Sequence, residues 1–212
     1  MSSSPIQTIF WDIGGVLLTN GWDKGQQAHV LTPLGVDLAD YQLRHDPANY
    51  FWERGLSDAH TFFQKTVFHD TDGVTRRSFT FDQLWALVCG ESKVLHQESF
   101  DILAALKASS KYRLATLNNE SRELNEYRLD TFHLRQYFDY FICSGYVHEM
   151  KPSPAIYRAA VEISGLPAHT ALFIDDKLEN CQAAIALGMK AIRFETPTQL
   201  RNELNQLGIQ AT

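Results

Sequence analysis

Cysteine is scarce in this chain: Cys89, Cys143 and Cys181 are the three among 212 residues, far apart and without a C-x-x-C pair. An odd, scattered set speaks against a disulfide framework or a zinc knuckle and reads as reduced core thiols. Basic clusters are lacking too, with 19 Lys and Arg against 25 Asp and Glu and a formal net charge of -6. General nucleic-acid binding and anionic-membrane binding both need clustered cations, so neither partner is expected. The longest early apolar run is broken at Asp12 and has no positive flank, which leaves no signal peptide and no membrane span. A soluble cytoplasmic protein is the expectation. The eight histidines form no H-x-H or H-E-x-x-H spacing that would set two imidazoles on one face for zinc. Internal repeats and low-complexity tracts are missing as well.

What is present begins with Ile6 to Leu18, IQTIFWDIGGVLL. Ile9-Phe10-Trp11 is short, β-branched and aromatic, which predicts a buried strand that delivers Asp12 at its carboxyl end. Gly14 and Gly15 follow, and two glycines after a strand allow a tight turn whose amides can approach an anion. Taken alone, Asp12 reads equally well as the cap of a turn.

Residues 19 to 92 show no strand-turn-helix cadence and are read as a helical insertion. Helices are predicted over Leu31 to Leu43 and Asp58 to Phe68, the latter capped by Ser57. Thr71-Asp72-Gly73 is a turn, and Thr80 to Gln83 has the form of a capping box. Phe51-Trp52-Glu53-Arg54-Gly55 reads as a helix N-terminus with a packed Trp and a surface ion pair, with a substrate-contacting Arg54 as the other reading.

From residue 99 a regular alternation sets in. Strands are predicted at Arg113-Leu117, Tyr140-Cys143, Ala171-Ile174 and Ala191-Phe194. Helix faces follow at Phe100/Leu103/Leu106, at Ile156/Ala159/Ala160/Ile163, at Ala183/Ala184/Leu187 before Gly188, and at Leu200/Leu204/Leu207. Strands alternating with helices imply an α/β fold with a doubly wound, parallel, five-stranded sheet. The expected division is a core of residues 1–18 and 93–212 with an inserted helical cap of 19–92.

Ligands of such sheets bind beyond the carboxyl ends of the strands. Collected there are Asp12, Asn118 and Asn119, Ser144, Lys151 and the pair Asp175-Asp176. Carboxylates suit a hard cation such as Mg2+, and a lysine with amides suits an anion.

In this order the motifs resemble the haloacid dehalogenase superfamily, along the whole length of the chain. Asp12-Ile13-Gly14-Gly15-Val16 is similar to its first motif, Leu117-Asn118-Asn119 to its second, Lys151-Pro152 to its third, and Ile174-Asp175-Asp176 with Asn180 to its fourth. The resemblance implies that Asp12 attacks phosphorus and that Mg2+ is held by Asp12, the Gly14 carbonyl and Asp176, with Asp175 assisting. It implies that Lys151, Asn118, Asn119 and the amide of Gly15 bind the phosphoryl group of a small phosphorylated metabolite.

Two departures bear on activity. Gly14 stands where phosphatases of the family carry a second aspartate as general acid and base, a function typically worth ~10²–10⁴-fold. Asn118 replaces a Ser or Thr. Three functions follow as expectations: a Mg2+-dependent phosphatase, a binding or regulatory protein with weakened turnover, and a 2-haloacid dehalogenase. The last is disfavoured by the acidic pair, which such chemistry does not need.

Overall fold

The structure, a computed structural model, describes residues 5–69 and 77–210. Strand β1 (Thr8–Trp11) is followed by helices α1 (Lys24–Leu31), α2 (Leu38–Trp52), α3 (Ala59–Thr66) and α4 (Phe81–Gly90). Then come α5 (Gln97–Ser109), β2 (Arg113–Asn118), α6 (Arg122–Thr131), β3 (Tyr140–Cys143), α7 (Ser144–Val147) and α8 (Pro154–Ser164). The chain closes with β4 (Ala171–Asp175), α9 (Leu178–Ala186), β5 (Lys190–Arg193) and α10 (Pro197–Gln206).

All five strands pair in parallel, in the order β3-β2-β1-β4-β5. The first strand is thus central, and every residue of it is buried. Its side chains alternate: Ile9 and Trp11 join a cluster with Leu103 and Leu106 of α5 and Leu200 and Leu204 of α10. Phe10 faces the other way, into a cluster with Ile156 and Tyr157 of α8 and Ala184 of α9. A strand buried on both faces needs apolar residues at consecutive positions, which is why the run is continuous rather than alternating.

Helices α1 to α4 build a separate apolar cluster in which Trp52 stacks on Phe62 at 4.2 Å. Their ends are fixed by local hydrogen bonds that satisfy the first free amides. Asp23 with Gln26 and Thr80 with Gln83 form complete capping boxes, the second as the sequence predicts. The cap of α3 is Asp58 rather than Ser57, because the Asp58 carboxylate accepts from the Thr61 amide at 2.7 Å. The stretch Leu31 to Leu43 is not one helix: α1 ends at Leu31 and α2 starts at Leu38, after Gly35 in left-handed conformation. The turn expected at Thr71-Asp72-Gly73 lies outside the described residues. On α8 the buried side is Ile156, Tyr157, Ala160 and Ser164, while Ile163 is 56% exposed.

Two connections join this helical group to the sheet, and they pair with each other: the Thr19 amide donates to Lys93 O at 2.9 Å and the Lys93 amide to Thr19 Oγ1 at 3.1 Å. Buried Arg128 on α6 clamps both. Its Nη2 donates to Thr19 O and Asn20 O at 3.0 and 2.9 Å, its Nε to Ser92 Oγ at 3.1 Å, and its Nη1 pairs with Glu120 at 3.2 Å. Across from the clamp, Glu123 receives the Trp52 indole N–H at 3.2 Å and the Ala59 amide at 3.1 Å. Among the described residues no helix is long and apolar enough to cross a membrane.

Candidate active site

At the carboxyl edge of the sheet the residues arriving from different strands meet. The Asp12 amide is held by Ile174 O of β4 at 2.9 Å, so the backbone that carries the carboxylate is part of the sheet. Its Oδ1 accepts from the Ile13 amide at 2.8 Å, and its Oδ2 lies 3.0 Å from Nζ of Lys151. The same ammonium is 2.6 Å from Oδ2 of Asp175 and 5.3 Å from the centre of the Phe173 ring.

These charges are buried, and their titration reflects it. Burial pushes the Asp12 carboxyl up to about 7, with Lys151 opposing and Asp175 and Asp176 adding to the rise. Burial works against the Lys151 ammonium, yet the two carboxylates outweigh it and raise its pKa. Asp176 is raised by burial and by the charge of Asp175.

Asp175 is fully engaged. Besides Lys151, it accepts from the Lys177 amide at 2.8 Å and from Asn180 Nδ2 at 3.0 and 3.1 Å. It therefore orients the lysine rather than offering a free oxygen. Asp176 differs: its Oδ1 is buried with no hydrogen-bond partner. Oxygens of Asp12, Asp175 and Asp176 lie within 4.8 Å of one another. An orphaned carboxylate oxygen beside two more carboxylates is the donor set of a hard divalent cation, and the residues fit Mg2+.

Three expected substrate contacts are changed by the structure. The Gly15 amide donates to Leu18 O at 2.8 Å and so is spent on the turn, not on an anion. Gly15 serves sterically instead: its φ is +76°, and a Cβ there would sit 2.5 Å from Asp176 Oδ2. Asn119 grips the backbone of Lys151 at both ends, donating to its carbonyl at 2.9 Å and accepting from its amide at 2.8 Å. That makes Asn119 a positioning residue. Asn118 lines the site cavity, but its Nδ2 donates to Asn125 Oδ1 at 3.0 Å, whose amide in turn donates to Tyr146 at 2.8 Å. Its Oδ1 is buried and unpartnered, so the donor expected of Asn118 is turned toward α6. Replacing Asn119 by Ala should free the Lys151 loop and lower kcat roughly 10- to 100-fold while thermal stability changes little. Steady-state kinetics beside a melting curve checks this, and an unchanged kcat would show that the loop holds itself.

The cavity in front of Asp12 measures about 410 Å³. Gly14 and Lys151 line it from the sheet side, and Trp22, His45 and Glu53 from the helical group. The stretch at Glu53-Arg54 is a helix C-terminus, not an N-terminus, since α2 ends at Trp52. The expected surface ion pair is not formed: Arg54 lies over the Tyr50 ring at 4.1 Å and Glu53 turns into the cavity. Ser144 is not in the phosphoryl site, because its hydroxyl donates to Glu53 O at 2.6 Å. Sequence reasoning missed Trp22, Glu120 and Arg128. Glu120 and Arg128 carried one faint signal, a charged residue just past a strand end and another on the buried side of a helix.

A parallel sheet that gathers an aspartate, a lysine and an acidic pair at one edge has the arrangement of a hydrolase site. Residues 6–188 match the haloacid dehalogenase-like hydrolase family, and the chain belongs to it. It is 25% identical over 162 residues to the GMP/IMP nucleotidase YrfG of Escherichia coli, covering 67% of this chain and 72% of that protein. It is 32% identical over 83 residues to the chloroplast flavin mononucleotide hydrolase 1 of Arabidopsis thaliana, covering 39% of this chain and 34% of that protein. The match thus spans about a third of the plant relative's length. Among solved structures, a family enzyme from Bacteroides thetaiotaomicron in complex with magnesium and inorganic phosphate superposes with a TM-score of 0.75 at 23% identity, over 90% of this chain and 94% of that one.

Proposed function

We propose that this hydrolase is a Mg2+-dependent phosphatase of small phosphorylated metabolites that works through an aspartyl-phosphate on Asp12. The observation that carries the reading is the meeting of Asp12, Lys151 and the orphaned Asp176 carboxylate in one buried cluster. The relatives that hydrolyse phosphate esters, nucleotidase and flavin mononucleotide hydrolase, support it. Residues 19–92 act as the cap over a core of 1–18 and 93–212.

Asp12 and Asp176, with the Gly14 carbonyl, would hold Mg2+, which when bound supplies charge to offset the phosphoryl oxygens. The other functions belong to the chain itself. Asp12 is fixed through its backbone and supplies the attacking oxygen, which divides one difficult displacement into two easier ones. Lys151 stands 3.0 Å from that carboxylate and neutralises charge on the nucleophile and the transferred group. Asp175 and Asn119 keep the lysine in place. Asn118 walls the phosphoryl site.

The test is a screen of sugar, nucleotide and acyl phosphates with Mg2+ and again with a chelator. Turnover that requires Mg2+ is the expected result. Tight phosphate binding without turnover on any compound would favour the weakened binding protein that Gly14 also permits. Chloride release from a haloacid in the absence of metal would favour a dehalogenase.

A further inference from the structure

Gly14 leaves the first loop without a carboxyl, and the space beside it is bordered by groups already in use. A Cβ at Gly14 would lie 3.4 Å from Asn20 Oδ1 and 3.8 Å from Nη1 of Arg128. The Arg128 guanidinium there is already paired with Glu120 at 3.2 Å. A proton for the leaving group would then come from another group of the same cavity.

Two further carboxyls line that cavity, Glu53 and Glu120. Glu120 is committed to structure: Arg128 lies 3.2 Å from its Oε2, and its Oε1 accepts from the Ser121 amide at 3.1 Å. Glu53 approaches from the opposite wall, at the C-terminal end of α2, with its backbone pinned to the core by the Ser144 hydroxyl at 2.6 Å. Next to it, His148 Nδ1 contacts Arg54 O at 2.6 Å, so the segment is docked at two successive carbonyls. Among the described residues no salt bridge reaches the Glu53 carboxylate. Burial favours its neutral form, against smaller opposing effects of Asn49, Lys177 and His45. Burial pushes the Glu120 carboxyl up to about 7 against the pull of Arg128, and the charge of Glu53 adds to the rise.

We propose that Glu53, carried into the cavity by the helical cap, is the proton donor to the leaving group in place of the carboxyl absent at position 14. This rests on the phosphatase reading. As an oxygen of Asp12 bonds to phosphorus and the bond from phosphorus to the leaving oxygen breaks, the Glu53 proton passes to that oxygen and an alcohol departs. The Glu53 carboxylate then regains a proton from solvent, while water attacks the aspartyl-phosphate, an acyl phosphate whose leaving carboxylate needs no acid, and gives its own proton to bulk water. Cleavage of the bond from phosphorus to Asp12 returns the free carboxylate and inorganic phosphate. A proton donor of this kind matters for esters of alcohols and little for acyl phosphates, whose leaving group departs as a stable anion.

The experiment compares phenyl phosphate with acetyl phosphate, both with Mg2+, in wild type, Glu53→Gln and the double variant Glu53→Gln/Gly14→Asp. Glu53→Gln should lower kcat for phenyl phosphate about 10²-fold or more. Acetyl phosphate should change by less than about threefold, which also reports an intact fold and a docked cap. The double variant should regain part of the loss on phenyl phosphate, because a carboxyl at position 14 restores a proton donor. Equal losses on the two substrates or no loss on either would overturn the assignment. Acetyl phosphate turnover by wild type tests the phosphatase reading separately: if it is present, only the role of Glu53 is at stake, and if wild type turns over neither compound, both readings fall.

Discussion

Replacing Asp12 by Asn is expected to remove turnover while leaving the fold in place, with kcat down by about 10⁴-fold or more, since the amide cannot attack phosphorus. The amide is nearly the same size, the backbone hydrogen bond to Ile174 is untouched, and Lys151 keeps Asp175 at 2.6 Å. Inorganic phosphate release under Mg2+ measures the loss, and residual activity within about tenfold of wild type would rule out Asp12 as the nucleophile.

The same variant carries a pH signature. Burial raises the Asp12 carboxyl from 3.8 to about 7 in the folded protein. A group whose folded pKa is raised gives stability that is full below its unfolded pKa and is lost as pH rises through the folded one. Metal-free wild type should therefore melt at lower temperature above pH 7 than at pH 5, and Asp12→Asn should lose much of that dependence. Thermal melts in a chelator at the two pH values decide it; parallel pH dependences would show that another group is responsible.

Gly15→Ala should be the second most damaging single change, because two penalties coincide at this position. The φ of +76° strains any side chain by about 1–2 kcal/mol. A Cβ would also lie 2.5 Å from Oδ2 and 2.6 Å from Cγ of Asp176, so the carboxylate with the free oxygen must move. Gly165 provides the control: its φ is +67° and nothing lies within 4 Å of its Cβ position. Gly165→Ala should lower the melting temperature by several degrees with full activity. Gly15→Ala should lose roughly 10²-fold or more in kcat and need more Mg2+ to saturate. Equal kinetic behaviour of the two variants would mean that Asp176 tolerates displacement and does not bind the metal.

The inner sheet was legible in the chain because β1, β2 and β4 are buried on both faces. Ile9-Phe10-Trp11 and Ala171 to Ile174 are continuous apolar runs, Leu114 to Leu117 is one interrupted by Thr116 alone, and each stops at a polar residue where the strand meets the site. The helical group was harder to read. Its helices pack aromatic residues such as Trp52, Phe62 and Phe63 in a cluster without a clean period, and Pro47 lies inside α2, so boundaries drawn from periodicity slipped. Asp58 competed with Ser57 for the same cap and won, and a preference scale separates two such neighbours too weakly to choose between them.

At the site, residue types and order by themselves determined that Asp12, Lys151 and the acids Asp175 and Asp176 belong together, because each follows its own strand and parallel strands end on the same edge. Which oxygen is free and which amide is spent only the tertiary structure decided. Asp175 and Asp176 are neighbours of identical type, yet one is saturated by Lys151, Lys177 and Asn180 while the other keeps a bare oxygen. Asn119 turned out to hold the lysine loop, and Glu53 to face the cavity from a helix that sequence spacing could not orient. Hydrogen-bond partners are settled by distances of a few tenths of an ångström between segments far apart in the chain, and no local pattern of residues encodes that.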